Sequence, residues 1–591
     1  MRRLLTPGQR TAASQGADGL NLRGLERLLR REQKRRPAFS RFWISDYLPR
    51  GSTCICEYRV GEAEVRILHS EEEMRTYYVL KPWEHSLPPD LFGLVGSVID
   101  HISSHPPARL DLSQEELREE MLETSRNELL RLARNTGIRI AREGNGSPDI
   151  LDRISACVVR NTVGLGLFEI LLADEHVEDI YVDAPASHNP IHLTLNGIGG
   201  KPTMMRATTN VLASLEEING LVSRIRYYSG RPFSEAFPIL EADLGELNAR
   251  ATVIGPPLSQ EGVALALRRH SDIPWTLPRL ASNGTIDPFA AGLISFLIDG
   301  HSTILICGAR GAGKSALLSA AMFEFPVAHR ILAIEDTPEL PIRRMQSLGY
   351  NVQSLVVQPS MGEDRESKSE EALRVSLRLG ESAIVVGEVR GREARVLYDS
   401  MRTGKAGSSV LGTIHGDSPE SVLDRVVHEM GIPKRAFLAT DIIINIGLHR
   451  PRGSQTPERR LLQIVESPED EEGGFRALMD FDYGTGLVTE RMTSPSRIIS
   501  RIAGTWNMDY LEALQNIQAR VEMRSLLIQA ARRSGNEYLG PEWVCRANAF
   551  FWQRVEKGKG YGDIVGEFRR LVNCPPLKSV GLSLEVERNV H

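Results

Sequence analysis

Ile304-Leu-Ile-Cys-Gly308-Ala-Arg-Gly311-Ala-Gly313-Lys314-Ser315 is the stretch whose reading decides the fold. The apolar run at its start reads as a buried parallel strand, and Ala316 to Phe323 reads as a helix. Between them the glycines have P-loop spacing: Gly308, four residues, then Gly313-Lys314-Ser315. Small residues let backbone N–H groups close around phosphate oxygens, and the helix N-terminus adds a positive dipole end. The candidate phosphate-binding segment is therefore Gly308, Ala309, Arg310, Gly311, Ala312, Gly313, Lys314, Ser315 and Ala316. Lys314 would reach the terminal phosphates, and the Ser315 hydroxyl would ligate Mg²⁺. A strand before and a helix after are the context that separates this motif from a chance glycine loop.

Around that core, 591 residues leave room for several domains. Hydrophobic content of 41% and charged content of 25% are those of an ordinary globular chain. The net charge of −5 argues against a dedicated nucleic-acid binder, although a local basic face is compatible with it. No run reaches the roughly 18 apolar residues of a membrane span; the best, Ala291 to Cys307, is broken by Asp299 and His301. The first residues lack the apolar centre of a signal peptide. The expectation is cytoplasmic residence, with the six cysteines as reduced thiols: Cys157, Cys307, Cys545 and Cys574 are dispersed, and the close Cys54-Ile-Cys56 is a weak metal signal.

The pass along the chain divides it into a basic arm (1–50), an α+β and helical region (51–163), a small α+β domain (164–272), a linker (273–286), the P-loop domain (287–475) and a mostly helical C-terminal region (476–591). The arm holds twelve Arg/Lys against four Asp/Glu. Leu22, Leu25 and Leu29 make it a basic amphipathic helix for an anionic membrane face or acidic partner, or else a solvated arm. Ser113 to Asn135 reads as a helix opened by a capping box, Ser113-x-x-Glu116, and Glu143 to Pro148 as a polar joint. Further helices are expected over Ile150 to Val163 and Thr209 to Tyr228, with strands near Ile180–Val182, His192–Leu195, Leu247–Ile254 and Val263–Leu267. Helices over Met508–Ser534, Pro541–Lys557 and Tyr561–Leu571 follow, with Trp543, Phe550, Phe551 and Trp552 expected in a core.

Three constellations continue the phosphate chemistry. Ile331-Leu-Ala-Ile-Glu335-Asp336-Thr-Pro-Glu339 is a strand ending in carboxylates, where ligands bind in open α/β sheets; Glu335 would help hold Mg²⁺ or orient water, or the segment is a solvated turn. Ala383-Ile-Val-Val-Gly387-Glu388-Val-Arg390 puts Glu388 at a strand tip, where it would sit by Mg²⁺ and polarise the attacking water, with the metal or Arg390 as partner. Thr403-Gly404-Lys405-Ala-Gly407-Ser408 and Gly412-Thr413-Ile-His415-Gly add a glycine turn and a histidine suited to sensing a phosphate, or to a structural place.

In order, these segments resemble the Walker A, Asp box, Walker B and His box of the type II/type IV secretion ATPase superfamily, motors of secretion, type IV pili and the archaellum. The resemblance covers about residues 160 to 470, through Val163-Gly164-Leu-Gly166, Ser229-Gly230-Arg231-Pro232, Asn248-Ala-Arg250-Ala-Thr252 and Arg459-Arg-Leu-Leu-Gln-Ile-Val-Glu466. The segments around Glu335 and Arg231 look most like the archaeal branch. It implies an α/β fold with a RecA-like P-loop ATPase domain, a PAS-like α+β domain before it and helical flanks. It further implies ATP and Mg²⁺ as cofactors, with Ser315 and Glu388 toward the metal. A homo-hexamer is implied, seated at the cytoplasmic face of a membrane against a polytopic platform protein and binding no nucleic acid. The implied activity is ATP hydrolysis driving a pilus-like filament or secretion machine; an archaellum motor or a nucleic-acid-translocating motor is the alternative. Arginines of the first domain act on nucleotide in such motors, often across a subunit boundary; the matching positions are Arg250 and Arg268, with Arg231 beside them. Ion pairing with Glu241, Asp243 or Glu246 is the other reading. Lys405 stands where relatives often carry histidine, Gly380-Glu-Ser382 replaces the usual Arg-Pro-Asp, and the tetracysteine pattern of some members is absent, so no structural zinc is expected.

Overall fold

The computed structural model describes residues 34–35, 42–45, 49, 51–104, 114–138, 140, 150–200, 203–270, 273–357, 365–380, 382–391, 393–402, 409–490 and 495–573. Most of the basic arm, the Ser113 cap, the 143–148 joint, the 403–408 turn with Lys405, Glu381 and Cys574 lie outside them. The chain forms two compact units, residues 1–199 with 204–270, and residues 200–203 with 271–591.

The first unit is built on one nine-stranded sheet. Its strands are β1 (Thr53–Val60), β2 (Ala63–Ser70), β3 (Arg75–Lys81), β4 (Val177–Val182), β5 (His192–Asn196), β6 (Met204–Thr209), β7 (Ile239–Leu244), β8 (Ala249–Ile254) and β9 (Ala264–Arg269). They lie in the order β7-β8-β9-β4-β5-β6-β3-β2-β1. Alternation of buried and half-exposed side chains along β2 is what a sheet with one packed face requires. The expected small domain thus shares its sheet with strands from the region before it, because β3 runs parallel to β6 through Thr76–Ala207, Tyr77–Thr208 and Tyr78–Thr209. Helices Pro89–Ser104, Gln114–Thr136 and Ile150–Thr162 pack around a core of Leu94, Val95, Val98, Leu129, Ile154 and Val158.

The helix expected over Thr209–Tyr228 is corrected: Val211–Ala213 is a strand, and the helix is Leu215–Ser229. Tertiary bonds override helical propensity here. The Asn210 amide accepts from Leu80 N at 2.9 Å and donates to the Leu80 and Ser45 carbonyls at 3.0 Å each. Ser214 then caps the helix by accepting from Glu217 N at 3.1 Å.

The second unit carries another nine-stranded sheet. Its strands are β10 (Ile304–Gly308), β11 (Arg330–Glu335), β12 (Asn351–Val356), β13 (Ala383–Val386), β14 (Val410–His415), β15 (Ile442–His449), β16 (Glu458–Glu466), β17 (Arg476–Asp482) and β18 (Leu487–Glu490). The order is β12-β11-β13-β14-β10-β15-β16-β17-β18, parallel from β12 to β15 and antiparallel beyond. The inner parallel strands β10, β11 and β13 are mainly apolar and buried, as burial on both faces demands, whereas the edge strand β12 is partly exposed. This sheet runs on past residue 475 into β17 and β18. Where a linker was expected, Leu277–Ser282 is a helix, started by the Thr276 hydroxyl on Arg279 N at 3.2 Å and by Pro278.

Helix Pro288–Asp299 is apolar on all sides and buried accordingly. Helices Arg497–Thr505, Tyr510–Ser534, Pro541–Glu556 and Tyr561–Leu571 complete the unit. Phe551 is buried among them and Trp543, Phe550 and Trp552 pack against the same cluster. Among the described residues, no single helix is long and apolar enough to cross a membrane.

Candidate functional site

In the second unit the parallel strands β10, β13, β14 and β11 end side by side, so their C-terminal loops meet at one edge of the sheet. The turn after β10 carries Gly308 to Gly313, and the helix that follows begins at Lys314 with Gly313 as its cap at φ 104°. A Cβ on Gly308 would stand 2.1 Å from the Ile446 carbonyl oxygen of β15. Gly308→Ala is therefore expected to cost about 1–3 kcal/mol of overpacking, read as a lower denaturation midpoint.

Lys314 is buried, and its Nζ donates to the carbonyls of Gly308 at 2.9 Å and Ala309 at 3.0 Å. The same nitrogen lies 3.3 Å from His415 Nδ1, at the end of β14. His415 Nε2 in turn lies 3.1 Å from Glu388 Oε1, just past β13. One protonation pattern satisfies both contacts: a neutral imidazole whose Nε2–H donates to Glu388 while Nδ1 accepts from Lys314. Burial and the nearby ammonium of Lys314 both push the His415 pKa below its ordinary value, against the pull of Glu388, which agrees with the neutral form.

Glu388 also pairs with Arg390, whose Nη1 lies 3.5 Å from Asp336 Oδ2. Burial alone would raise the Glu388 pKa; the hydrogen bond and charge of Arg390, with His415 and Lys314, outweigh it and hold the carboxyl below its usual range. The arrangement is a chain of alternating charge from the P-loop lysine to the β11 end.

Glu335 closes β11, the strand-end position expected of it. It is 3% exposed, and its Oε1 accepts from the backbone N–H groups of Glu339 and Leu340 at 2.8 Å each, closing the turn that follows β11. Asp336 is the carboxylate of that turn that reaches Arg390.

Several supporting residues escaped the sequence reading. Buried Glu393 accepts at Oε1 from Arg390 N at 2.6 Å and Gly391 N at 2.9 Å, which fixes the loop carrying Glu388. Thr413 Oγ1 donates to the Gly387 carbonyl at 2.6 Å, and Arg425 Nη1 to the His415 carbonyl at 3.1 Å. Arg459 Nε donates to the Gly311 carbonyl at 2.9 Å, pinning the crown of the P-loop from β16. Glu393 had a signal: an acid two residues past a glycine, ahead of a helix, is a loop-capping pattern. The others depend on contacts distant in sequence.

In the first unit, Arg250 on β8 and Arg268 on β9 are directly opposite in the antiparallel pair. Arg250 Nη2 lies 3.3 Å from Glu241 Oε1, and Arg231 Nη1 donates to the Glu241 carbonyl at 2.9 Å. Arg268 is in register with Asp179 of β4. The pairing with Glu241 offered as one reading of the sequence is thus present.

Residues 168–459 match the model of the family described as type II/IV secretion system protein. A putative conjugal transfer protein of Mycobacterium tuberculosis is 29% identical over 311 residues, 51% of this chain and 84% of that protein. An uncharacterized protein of Methanocaldococcus jannaschii is 26% identical over 331 residues, 56% of each. The type IV secretion system protein PtlH of Bordetella pertussis is 27% identical over 236 residues, 36% of this chain and 67% of PtlH. Among solved structures, the VirB11 ATPase of the Brucella suis type IV secretion system matches 51% of this chain and 97% of its own at 19% identity and a TM-score of 0.25. The Legionella pneumophila ATPase DotB matches 68% and 94% at 17% identity and a TM-score of 0.35. Residues 168–459, which hold the P-loop, Glu388 and His415 together, are thus the part of the chain that is similar to the type II/IV secretion system protein family.

Proposed function

We propose that this chain is a Mg²⁺-dependent ATPase that works as a homo-hexameric motor for a type IV pilus-like filament or a related secretion machine, at the cytoplasmic face of a membrane against a platform protein. The observation that carries the reading is the run Lys314–His415–Glu388, which joins the P-loop cation to an acid just past a neighbouring strand through one imidazole.

The residues fit a nucleoside triphosphate with its metal. Gly308 has no room for a side chain against the Ile446 carbonyl, which fixes a glycine where the loop leaves β10. Lys314 at the helix start brings a cation and the dipole end together. Ser315 and Glu388 would hold Mg²⁺, which when bound neutralises charge on the phosphate oxygens. Glu388, kept ionised, would orient the attacking water and take its proton; His415 would hold the acid and the lysine in register. Arg250 and Arg268 would stabilise charge at the site of a neighbouring copy.

The names of the relatives, conjugal transfer and type IV secretion, favour a transfer or secretion machine within this class. An archaellum motor and a nucleic-acid-translocating motor are the alternatives; turnover stimulated by DNA would support the latter. Arg250→Ala is expected to keep ATP binding and lose on the order of 10³-fold in turnover. Mixing it with a Lys314 variant should restore part of the phosphate release if the arginine acts in trans. Full turnover by Arg250→Ala alone would remove it from the site.

A further inference from the structure

The helix that begins with the P-loop lysine is short. It spans Lys314–Met322 and ends on Phe323, so at about 1.5 Å per residue its far end lies about 14 Å from Lys314. That end is held by side chains from outside the nucleotide motifs. The Phe323 carbonyl accepts from Tyr350 Oη at 2.9 Å and from Asn548 Nδ2 at 3.2 Å. The next residue, Glu324, is 0% exposed, and its Oε2 accepts from Asn548 Nδ2 at 3.0 Å and from Arg524. Arg524 Nη2 also donates to Asn548 Oδ1 at 2.6 Å and to Ser295 Oγ at 2.7 Å. One turn earlier, Arg520 pairs with Asp299, which also accepts from Trp552 Nε1 at 3.0 Å.

Two fully buried guanidinium groups on one helix, Tyr510–Ser534, are a poor device for stability. A buried ion pair is often replaced by apolar residues without loss. This one is also incompletely satisfied: Nε and Nη1 of Arg524 and Oε1 of Glu324 make no hydrogen bond. Burial draws the Arg524 pKa down, with Glu324 opposing it. What an apolar substitute would not reproduce is direction. Arg524 and Asn548 fix where the P-loop helix stops and tie that point to two C-terminal helices.

We infer that Arg524, Asn548 and Glu324 are positioning residues for nucleotide binding, linking the P-loop helix to helices Tyr510–Ser534 and Pro541–Glu556 so that occupancy at Lys314 is felt in the C-terminal bundle. The link rests on the nucleotide reading above. Its test is the full chain carrying R524M together with E324M, which leaves no unpaired buried charge. The expected result is a chemical denaturation midpoint at or above that of the unaltered chain, with affinity for a non-hydrolysable ATP analogue and Mg²⁺ at least fivefold weaker. The analogue should slow amide exchange across residues 510–534 in the unaltered chain and not in the variant. Unchanged affinity with an unchanged exchange response would overturn the link. Should the double variant not fold, R524K, whose ammonium ends short of the Nη2 position, takes its place with the same readouts and the same contrary result. An unaltered chain that fails to bind the analogue would overturn the nucleotide reading instead, so the two failures are distinguishable.

Discussion

Glu388→Gln is expected to leave MgATP binding nearly unchanged and to lower turnover by about 10²–10⁴-fold. The amide has the shape of the carboxylate and can still accept from His415 Nε2, now 3.1 Å from Glu388 Oε1. Arg390, released from the carboxylate, keeps Asp336 at 3.5 Å, so the loop retains an anchor. Glu393 continues to hold the backbone of Arg390 and Gly391. What the amide cannot do is take a proton. The carboxyl is held below its ordinary range by Arg390, His415 and Lys314 against the effect of burial, so it is ionised at neutral pH and available as a base. Phosphate release under saturating MgATP reads the difference, and turnover within a few-fold of the unaltered chain would take the role from Glu388.

Lys314→Ala acts on the other end of the same chain of charges. The ammonium is buried and bonded to two carbonyls of the loop that precedes it. Removing it costs the site its only charge contributed by the P-loop helix itself, where the dipole also favours an anion. Truncating one member of a desolvated charge pair costs about 2–5 kcal/mol, roughly 30-fold to a few thousandfold in affinity. The fold should survive: alanine is a better helix former than lysine at a helix start that lacks a side-chain cap.

The P-loop and Glu388 were legible because each signal is local. A glycine run between an apolar strand and a helix, or an acid just beyond an apolar strand, needs no knowledge of the rest of the chain. His415 was legible as a candidate, and the structure adds its two partners, which stand 101 residues away at Lys314 and just past a different strand at Glu388. Glu335 was legible as a strand-end carboxylate but its partners were not, because such a group serves a metal or a backbone turn equally well in sequence; the structure adds two N–H groups, four and five residues on, that bond its Oε1. In the first unit the helix start failed at Asn210, whose side-chain bonds reach 130 and 165 residues back. The joining of β3 to β6 was invisible for the same reason, since strand pairing across more than a hundred residues leaves no periodicity behind. The C-terminal aromatics were legible as core, whereas the buried Arg520 and Arg524 were not: a helix rich in charge reads as solvated until its neighbours are placed.

The central claim is that the turn ending at Lys314 grips a triphosphate. Equilibrium titration of the full chain with a fluorescent ATP analogue and Mg²⁺, beside Lys314→Ala of matched denaturation midpoint, tests it most directly. Saturable binding that falls roughly 30-fold or more in the variant is the expected result. Equal binding by the two chains, or none by either, would contradict it.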